Sequence, residues 1–303
     1  MLVGYGRRGR EWHQACRDRS DVVIVGVVEP EGTAARAAAV DAGLPVFDSP
    51  GAAAAAIPDG VPVTAAIVAS PIETHPPVAL ACLETGLAVL VEKPLAQTVA
   101  AARQVVDAAA ARHLPALVVQ NFRFLPRERA LIRALADGLV GRLLSAEVDS
   151  ARAVRSPFAL WDFAVHHLDA LRVRLGGPPA TVTAAPSAAI DVVLTWADGF
   201  EVHYRHDDTA PGYRYRERLV GSDGTLTVMD QKVRLERGGR RPRRVRAPGR
   251  VDPDGAVLDE LVRALAGGPS SPLAAADNLL TVATVVAVAK ALREGGTVTV
   301  EHG

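Results

Sequence analysis

Through about residue 120, short β-branched runs alternate with alanine-rich stretches of helical length, and no other feature narrows the fold as far. Val22 to Val28, Val63 to Ala69, Ala88 to Val91 and Ala116 to Val119 read as strands, while Arg8 to Arg19, Thr33 to Ala42, His75 to Thr85 and Val99 to Arg112 read as helices. Strands that are apolar on both faces must be covered on both faces, which is the pattern of a parallel sheet wrapped by helices. The expected fold class is α/β, with a doubly wound parallel sheet over residues 1–120.

After residue 140 the rhythm changes. The stretches "LLSAEVDSA", "ATVTAA", "AIDVVLTWADGFEVHYRH" and "YRYRERLVGSDGTLTVMDQKVRLE" alternate polar and apolar residues and reverse at "ADGF" and "GSDG". Such alternation with Asp/Gly turns predicts a half-buried, mainly antiparallel sheet, so residues 121–303 form a second, α+β domain. Helical patterns at Val257 to Ala266 and Leu273 to Arg293 are expected to pack back across this sheet or onto the first domain. Gly238 to Pro253, rich in Arg, Gly and Pro, reads as an exposed loop.

Charge excludes some partners. The 303 residues carry 34 basic and 34 acidic side chains, so no overall field recruits nucleic acid or an anionic membrane. Cys16 and Cys82 are too few for a disulfide framework and show no C-x-x-C spacing, and no metal site is expected. No apolar leader is visible at the amino terminus, and the apolar run Leu279 to Ala289 is shorter than the ~20 residues of a membrane span. A cytoplasmic protein acting on a small molecule is the expectation.

"VGYGRRGRE" places Gly4, Gly6 and Gly9 in G-x-G-x-x-G spacing between a short apolar start and a helical run. In a Rossmann unit the first glycine permits the turn, the second lets backbone approach a pyrophosphate, and the third lets helix pack on strand. Tyr5, Arg7 and Arg8 belong to the same candidate cofactor-binding turn. Glu29 ends the second strand about 20 residues later, where an acid accepts hydrogen bonds from the adenosine ribose. With Glu31 close behind, a 2′-phosphate would meet two carboxylates, which predicts NAD over NADP. Only Met1 to Val3 remain for the first strand.

"LAVLVEKPLAQT" ends a core strand on Glu92, Lys93 and Pro94. Ligands of an open parallel sheet sit beyond the carboxyl ends of its strands, and Lys93 shares that edge with Gly4 to Gly9, Glu29 and the Ser70, Pro71 and His75 of "ASPIETH". Downstream, "ALWDFAVHHLDALRVRL" reads as a helix with Asp162 and His166 four residues apart on one face. A carboxylate near an imidazole fixes its tautomer and raises its basicity, which suits a general base, although an ordinary ion pair has the same spacing. His167 points about a quarter turn away and reads as structural.

"VEKPLA" after "ASPIETH", with the glycine turn upstream, "NFRFLP" from Asn121 and "WDFAVHHLDA" downstream, resembles the Gfo/Idh/MocA oxidoreductases over nearly the whole chain. The resemblance implies a nicotinamide-binding first domain, an open-faced antiparallel sheet in the second, and redox chemistry at a secondary alcohol of a sugar, cyclitol or polyol. It makes His166 the base, Asp162 its orienting partner or a substrate contact, and Lys93 the group bonded to the reacting oxygen. Substrate contacts are also expected from Asn121, and from Arg123, Arg152, Arg155 and Trp161, whose structural alternative is solvated arginines and a core tryptophan. The chain departs from the family pattern at Ala164, where glycine is common, and in the short segment from Asp149 to Asp162, which implies a reduced lid. A homodimer or homotetramer through the open sheet face is expected. Two other readings stand beside the dehydrogenase: a hydrolase or lyase that uses NAD transiently, and a nucleotide-sensing regulator without chemistry.

Overall fold

The alternating segments of the first 120 residues fold as six parallel strands with helices between them. The computed structural model describes residues 1–56, 63–153 and 159–301. In chain order the first elements are β1 Leu2–Val3, α1 Arg7–Arg17, β2 Val27–Val28, α2 Ala34–Asp41, β3 Val46–Phe47, α3 Pro50–Ala56, β4 Ala65–Val68, α4 His75–Glu84, β5 Ala88–Val91, α5 Val99–Ala111 and β6 Ala116–Val118. Their order in the sheet, β3-β2-β1-β4-β5-β6, reverses at β1, so the carboxyl ends of β1 and β4 are the switch point at which such sheets bind ligands. The strands other than β3 are largely buried, and Thr33 and Thr98 cap α2 and α5 by accepting from Arg36 and Ala101 N–H.

Three differences from the sequence reading have local causes. The strand expected from Val22 shrinks to Val27–Val28, because its ladder partner β1 begins with Leu2 opposite Val27 and reaches back only to the Gly26 carbonyl. Val22 to Val25 instead line a cleft of about 430 Å³ with Met1, Thr64 and Leu261. Short β3 and α3 were not read, since two residues of strand leave almost no periodicity to detect.

The remaining elements are α6 Pro126–Ala136, β7 Leu143–Ala151, α7 Val165–Arg174, β8 Thr181–Ala184, β9 Ile190–Thr195, β10 Glu201–Asp207, β11 Arg214–Gly221, β12 Thr225–Met229, β13 Lys232–Glu236, β14 Arg243–Val245, α8 Pro253–Leu265, α9 Ala275–Glu294 and β15 Gly296–Thr299. Nine strands form one sheet in the order β14-β13-β12-β11-β7-β10-β9-β8-β15, antiparallel except between β7 and β10. Alternation sorts its faces: Val202, Tyr204 and His206 of β10 are buried, whereas Glu201, His203 and Arg205 are exposed. β14 lies inside the stretch read as a loop, and α6 and β15 were not read at all.

The chain divides into two units, Met1–Val119 with Val257–Val282 and Gln120–Ala256 with Ala283–Gly303. The helix expected over Leu273 to Arg293 is α9, 20 residues long and apolar enough by composition to cross a membrane. In its most apolar window 61% is buried within the fold, as befits a core helix that is hydrophobic all round.

Candidate active site

In the first unit three glycines shape the turn between β1 and α1, each for its own reason. Gly4 sits at φ +89°, and a Cβ there would lie 2.7 Å from the Ala69 carbonyl oxygen. A Cβ at Gly9 would lie 2.1 Å from the Gly4 carbonyl oxygen, so α1 approaches β1 only because no side chain stands there. Gly6 has nothing within 4 Å. As the N-cap of α1 it brings no side-chain cap, so the helix presents free N–H groups to open space, the setting that receives a phosphate.

This contrast gives a paired prediction. Gly9→Ala forces backbone against backbone and is expected to lower both melting temperature and NAD affinity, the latter about tenfold or more. Gly6→Ala is expected to leave the melting temperature unchanged and weaken NAD alone. Thermal unfolding and fluorescence titration with NAD measure the two effects, and equal melting temperatures for both variants would contradict the assignment.

Glu29, buried just past β2, accepts the Tyr5 N–H at Oε2 (2.7 Å), and its Oε1 lies 3.2 Å from the Thr33 hydroxyl. The carboxylate is thereby fixed beside the glycine turn, where it suits ribose hydroxyls and repels a 2′-phosphate. Ser70 follows β4 half-buried and accepts from the Thr74 hydroxyl at 2.7 Å, with Pro71 exposed beside it. Lys93 is half-buried two residues past the end of β5, and its peptide bond to Pro94 is cis. The ends of β2, β1, β4 and β5 are neighbours in the sheet, so Glu29, the glycine turn, Ser70 and Lys93 share one edge.

Four residues of the expected cofactor-binding set make contacts within the protein. The His75 ring is buried between the two loops, its nitrogens 2.7 Å from the Pro94 carbonyl and 3.0 Å from that of Ser70, and a neutral ring donates to one of them. Burial draws its pKa below the ordinary value. Glu92 Oε1 accepts from Arg8 Nε at 2.5 Å and from Trp12 Nε1 at 2.8 Å, which braces α1 against the end of β5. Arg8 also lies over the Trp12 ring at 4.7 Å. Arg7 is exposed and pairs with Glu11 at 2.6 Å.

In the second unit, Leu160–Ala164 forms a π-helical turn that continues into α7. Such wide turns recur at functional sites, and this one carries Asp162, half-buried, while His166 opens α7. The His166 ring stacks on Phe122 with centres 4.1 Å apart and planes 11° apart, which fixes its orientation. Phe122 was missed as a site residue although it lies within "NFRFLP"; a lone phenylalanine there reads as core. His167 is buried, its Nδ1 3.0 Å from the Tyr204 hydroxyl.

Two expected substrate contacts are engaged elsewhere. Arg123 is buried in a two-pronged pair with Asp169, Nε to Oδ2 at 2.7 Å and Nη2 to Oδ1 at 2.6 Å, which clamps the segment before α6 to α7. Asn121 donates to Asp254 Oδ1 at 2.7 Å. Arg152 is exposed with its guanidinium 4.8 Å above Phe163, and Trp161 is half-buried. Arg155 lies outside the described residues.

Comparison with known proteins adds what geometry alone lacks. A family model described as an oxidoreductase family with an NAD-binding Rossmann fold matches residues 1–120. Inositol 2-dehydrogenase 2 of Paenarthrobacter aurescens (strain TC1) is 30% identical over 267 residues, covering 78% of this chain and 80% of its own length. The chain belongs to the Gfo/Idh/MocA oxidoreductase family. Its likeness to D-apiose dehydrogenase of Paraburkholderia graminis, 26% identical, runs over 98% of this chain and 88% of that one. Among solved structures, an NAD-binding protein from Listeria innocua superposes with a TM-score of 0.85 over 99% of this chain and 97% of that one; at 19% identity this speaks to the fold alone.

This Gfo/Idh/MocA protein is therefore an oxidoreductase acting on CH–OH groups, with NAD as cofactor. Its first unit fits the dinucleotide: the open backbone at Gly6 leaves room for a pyrophosphate that any Cβ would narrow, and Glu29 stands ready beside it for the ribose.

Proposed function

We propose that the chain is an NAD-dependent dehydrogenase of a sugar, cyclitol or related polyol. The glycine turn and Glu29 would hold NAD, which would supply the hydride acceptor for the carbinol carbon. His166 takes the hydroxyl proton, and Asp162 orients the imidazole or holds a neighbouring hydroxyl. Lys93 hydrogen-bonds the reacting oxygen and stabilises the charge that develops there as its proton leaves. The reading is supported by a relative named inositol 2-dehydrogenase that aligns over more than three quarters of this chain. A homodimer or homotetramer through the exposed, charged face of the second sheet is part of the proposal.

Incubation with NAD and a panel of sugars, uronates and inositols, followed by absorbance of the reduced nicotinamide, tests it. Net NADH with at least one polyol is the expected result. Substrate consumed without NADH would instead favour elimination by transient oxidation, and no consumption across the panel would favour a regulator.

A further inference from the structure

Lys93 stands between two neighbours that are each drawn toward a helix. β5 ends at Val91, and the ladder carries on to Glu92, whose N–H donates to the Val68 carbonyl at 2.8 Å. Past that point side chains take over. Glu92 is 5% exposed, and its Oε1 accepts from two residues of α1, Arg8 Nε at 2.5 Å and Trp12 Nε1 at 2.8 Å. Its Oε2 accepts the Lys93 N–H at 3.3 Å. On the other side of the lysine, the Pro94 carbonyl lies 2.7 Å from a ring nitrogen of His75, which opens α4. A carboxylate has lone pairs for all three of its donors, so one side chain joins the lysine backbone to α1.

Both α1 partners are better explained by Glu92 than by their own helix. Arg8 lies in the first turn, where a cation opposes the helix dipole and α1 has no acid to offset it. The Glu92 carboxylate, 84 residues away, faces Arg8 instead, and Glu11 Oε2 accepts from Arg8 Nη1 at 2.8 Å. Trp12 is fully buried, and an indole N–H shut away from water needs an acceptor. The Arg8 guanidinium lies 4.7 Å over the Trp12 ring, so the two donors reach one oxygen as a packed pair.

We infer that Glu92 is a positioning residue for Lys93, and that Arg8 and Trp12 act on the lysine through it instead of touching the cofactor. The inference deepens the proposed function and rests on the role given there to Lys93. A lysine stem is flexible, so its ammonium meets the reacting oxygen only where the backbone beneath it is fixed. A reacting group displaced by about 1 Å can cost on the order of 10²-fold in rate. A contact to the cofactor acts on NAD affinity, whereas a mount for the lysine acts on kcat.

Arg8→Met and Trp12→Phe test this from positions remote from the lysine in sequence, since each removes a donor and keeps an apolar body in place. Lys93, Lys232 and Lys290 are the lysines of the chain, so the full protein labelled with ¹⁵N-lysine gives one backbone amide signal for each, and the signal lost in Lys93→Met is that of Lys93. The expected result is a Lys93 amide signal that moves in both variants, with kcat for the fastest polyol lower by about three- to tenfold and NAD affinity, by fluorescence titration, within about twofold of the parent. Glu92→Leu shows the largest loss of kcat, and Glu92→Gln, which keeps an oxygen for Trp12, recovers part of it. Gln14→Ala, at an exposed position of the same helix, moves neither signal nor rate. A Lys93 signal that stays in place in both variants, or that moves equally in Gln14→Ala, overturns the inference. Weaker NAD binding with unchanged kcat overturns it too and returns Arg8 to the cofactor. A chain that oxidises no polyol retires the dehydrogenase instead, and the amide signals still decide whether Glu92 holds Lys93.

Discussion

Replacing Lys93 with methionine is expected to lower kcat about 10²- to 10³-fold while NAD affinity stays near that of the parent. Methionine keeps the length and apolar body of the stem but has no ammonium to place against an oxygen that gains charge. An interaction made mainly in the transition state costs kcat and kcat/KM together when it is lost, whereas a pure binding contact would cost KM. The residue stands at the ligand-binding edge of the sheet, on the segment that Glu92 anchors to Arg8 and Trp12, so the substitution removes chemistry without loosening its support. Steady-state rates with the best polyol, together with fluorescence titration of NAD, make the comparison. Unchanged turnover would retire the mechanism.

The largest effect on stability is expected from Arg174→Met. Arg174 is fully buried between two acids: its Nη1 reaches Glu128 at 2.6 Å and its Nη2 pairs with Glu217. Glu128 also accepts from Arg127 Nε at 3.1 Å, and Tyr215 donates its hydroxyl to Glu217 at 2.9 Å. Removing one partner from a buried ion pair leaves the other charge uncompensated, at a cost of about 3–5 kcal/mol. For a protein of this size that corresponds to a melting temperature lower by roughly 10 °C. The penalty should also depend on pH. Burial already raises the Glu217 pKa, against the lowering effect of Arg174, and loss of the arginine raises it further. A carboxyl whose folded pKa lies above its unfolded value stabilises the fold while protonated and loses that contribution as pH rises through the folded pKa. The deficit is therefore expected to be smaller near pH 5 than near pH 8. Thermal unfolding at the two pH values measures it, and a deficit below about 1 kcal/mol would mean that the second unit repacks around the site.

Local chemistry made much of the site legible. The turn at Gly4, Gly6 and Gly9 requires residues without side chains, for reasons set by a few ångströms of neighbouring backbone. Asp162 and His166 are close in sequence, and helical winding brings them to one side whether the turn is α or π. His75, Glu92 and Arg123 have partners that local sequence does not reveal, because those partners lie far along the chain: Glu92 meets Trp12 across 80 residues, and Arg123 meets Asp169 across 46. A charged or polar side chain beside a motif looks the same in sequence whether it faces a ligand or a buried partner. Phe122 was passed over for the converse reason, since stacking on an imidazole leaves no signature in composition or spacing.

The linear chain by itself determined the layers, the glycine turn and the acid at the end of β2, because each depends on periodicity or on neighbours a few positions away. Only the tertiary structure decided that β2 begins at Val27, that Glu92 joins Trp12 and His75 approaches Pro94, and that Arg123 pairs with Asp169. Those outcomes depend on which distant segments pack together, and packing selects partners by shape and hydrogen-bond need, not by distance along the chain.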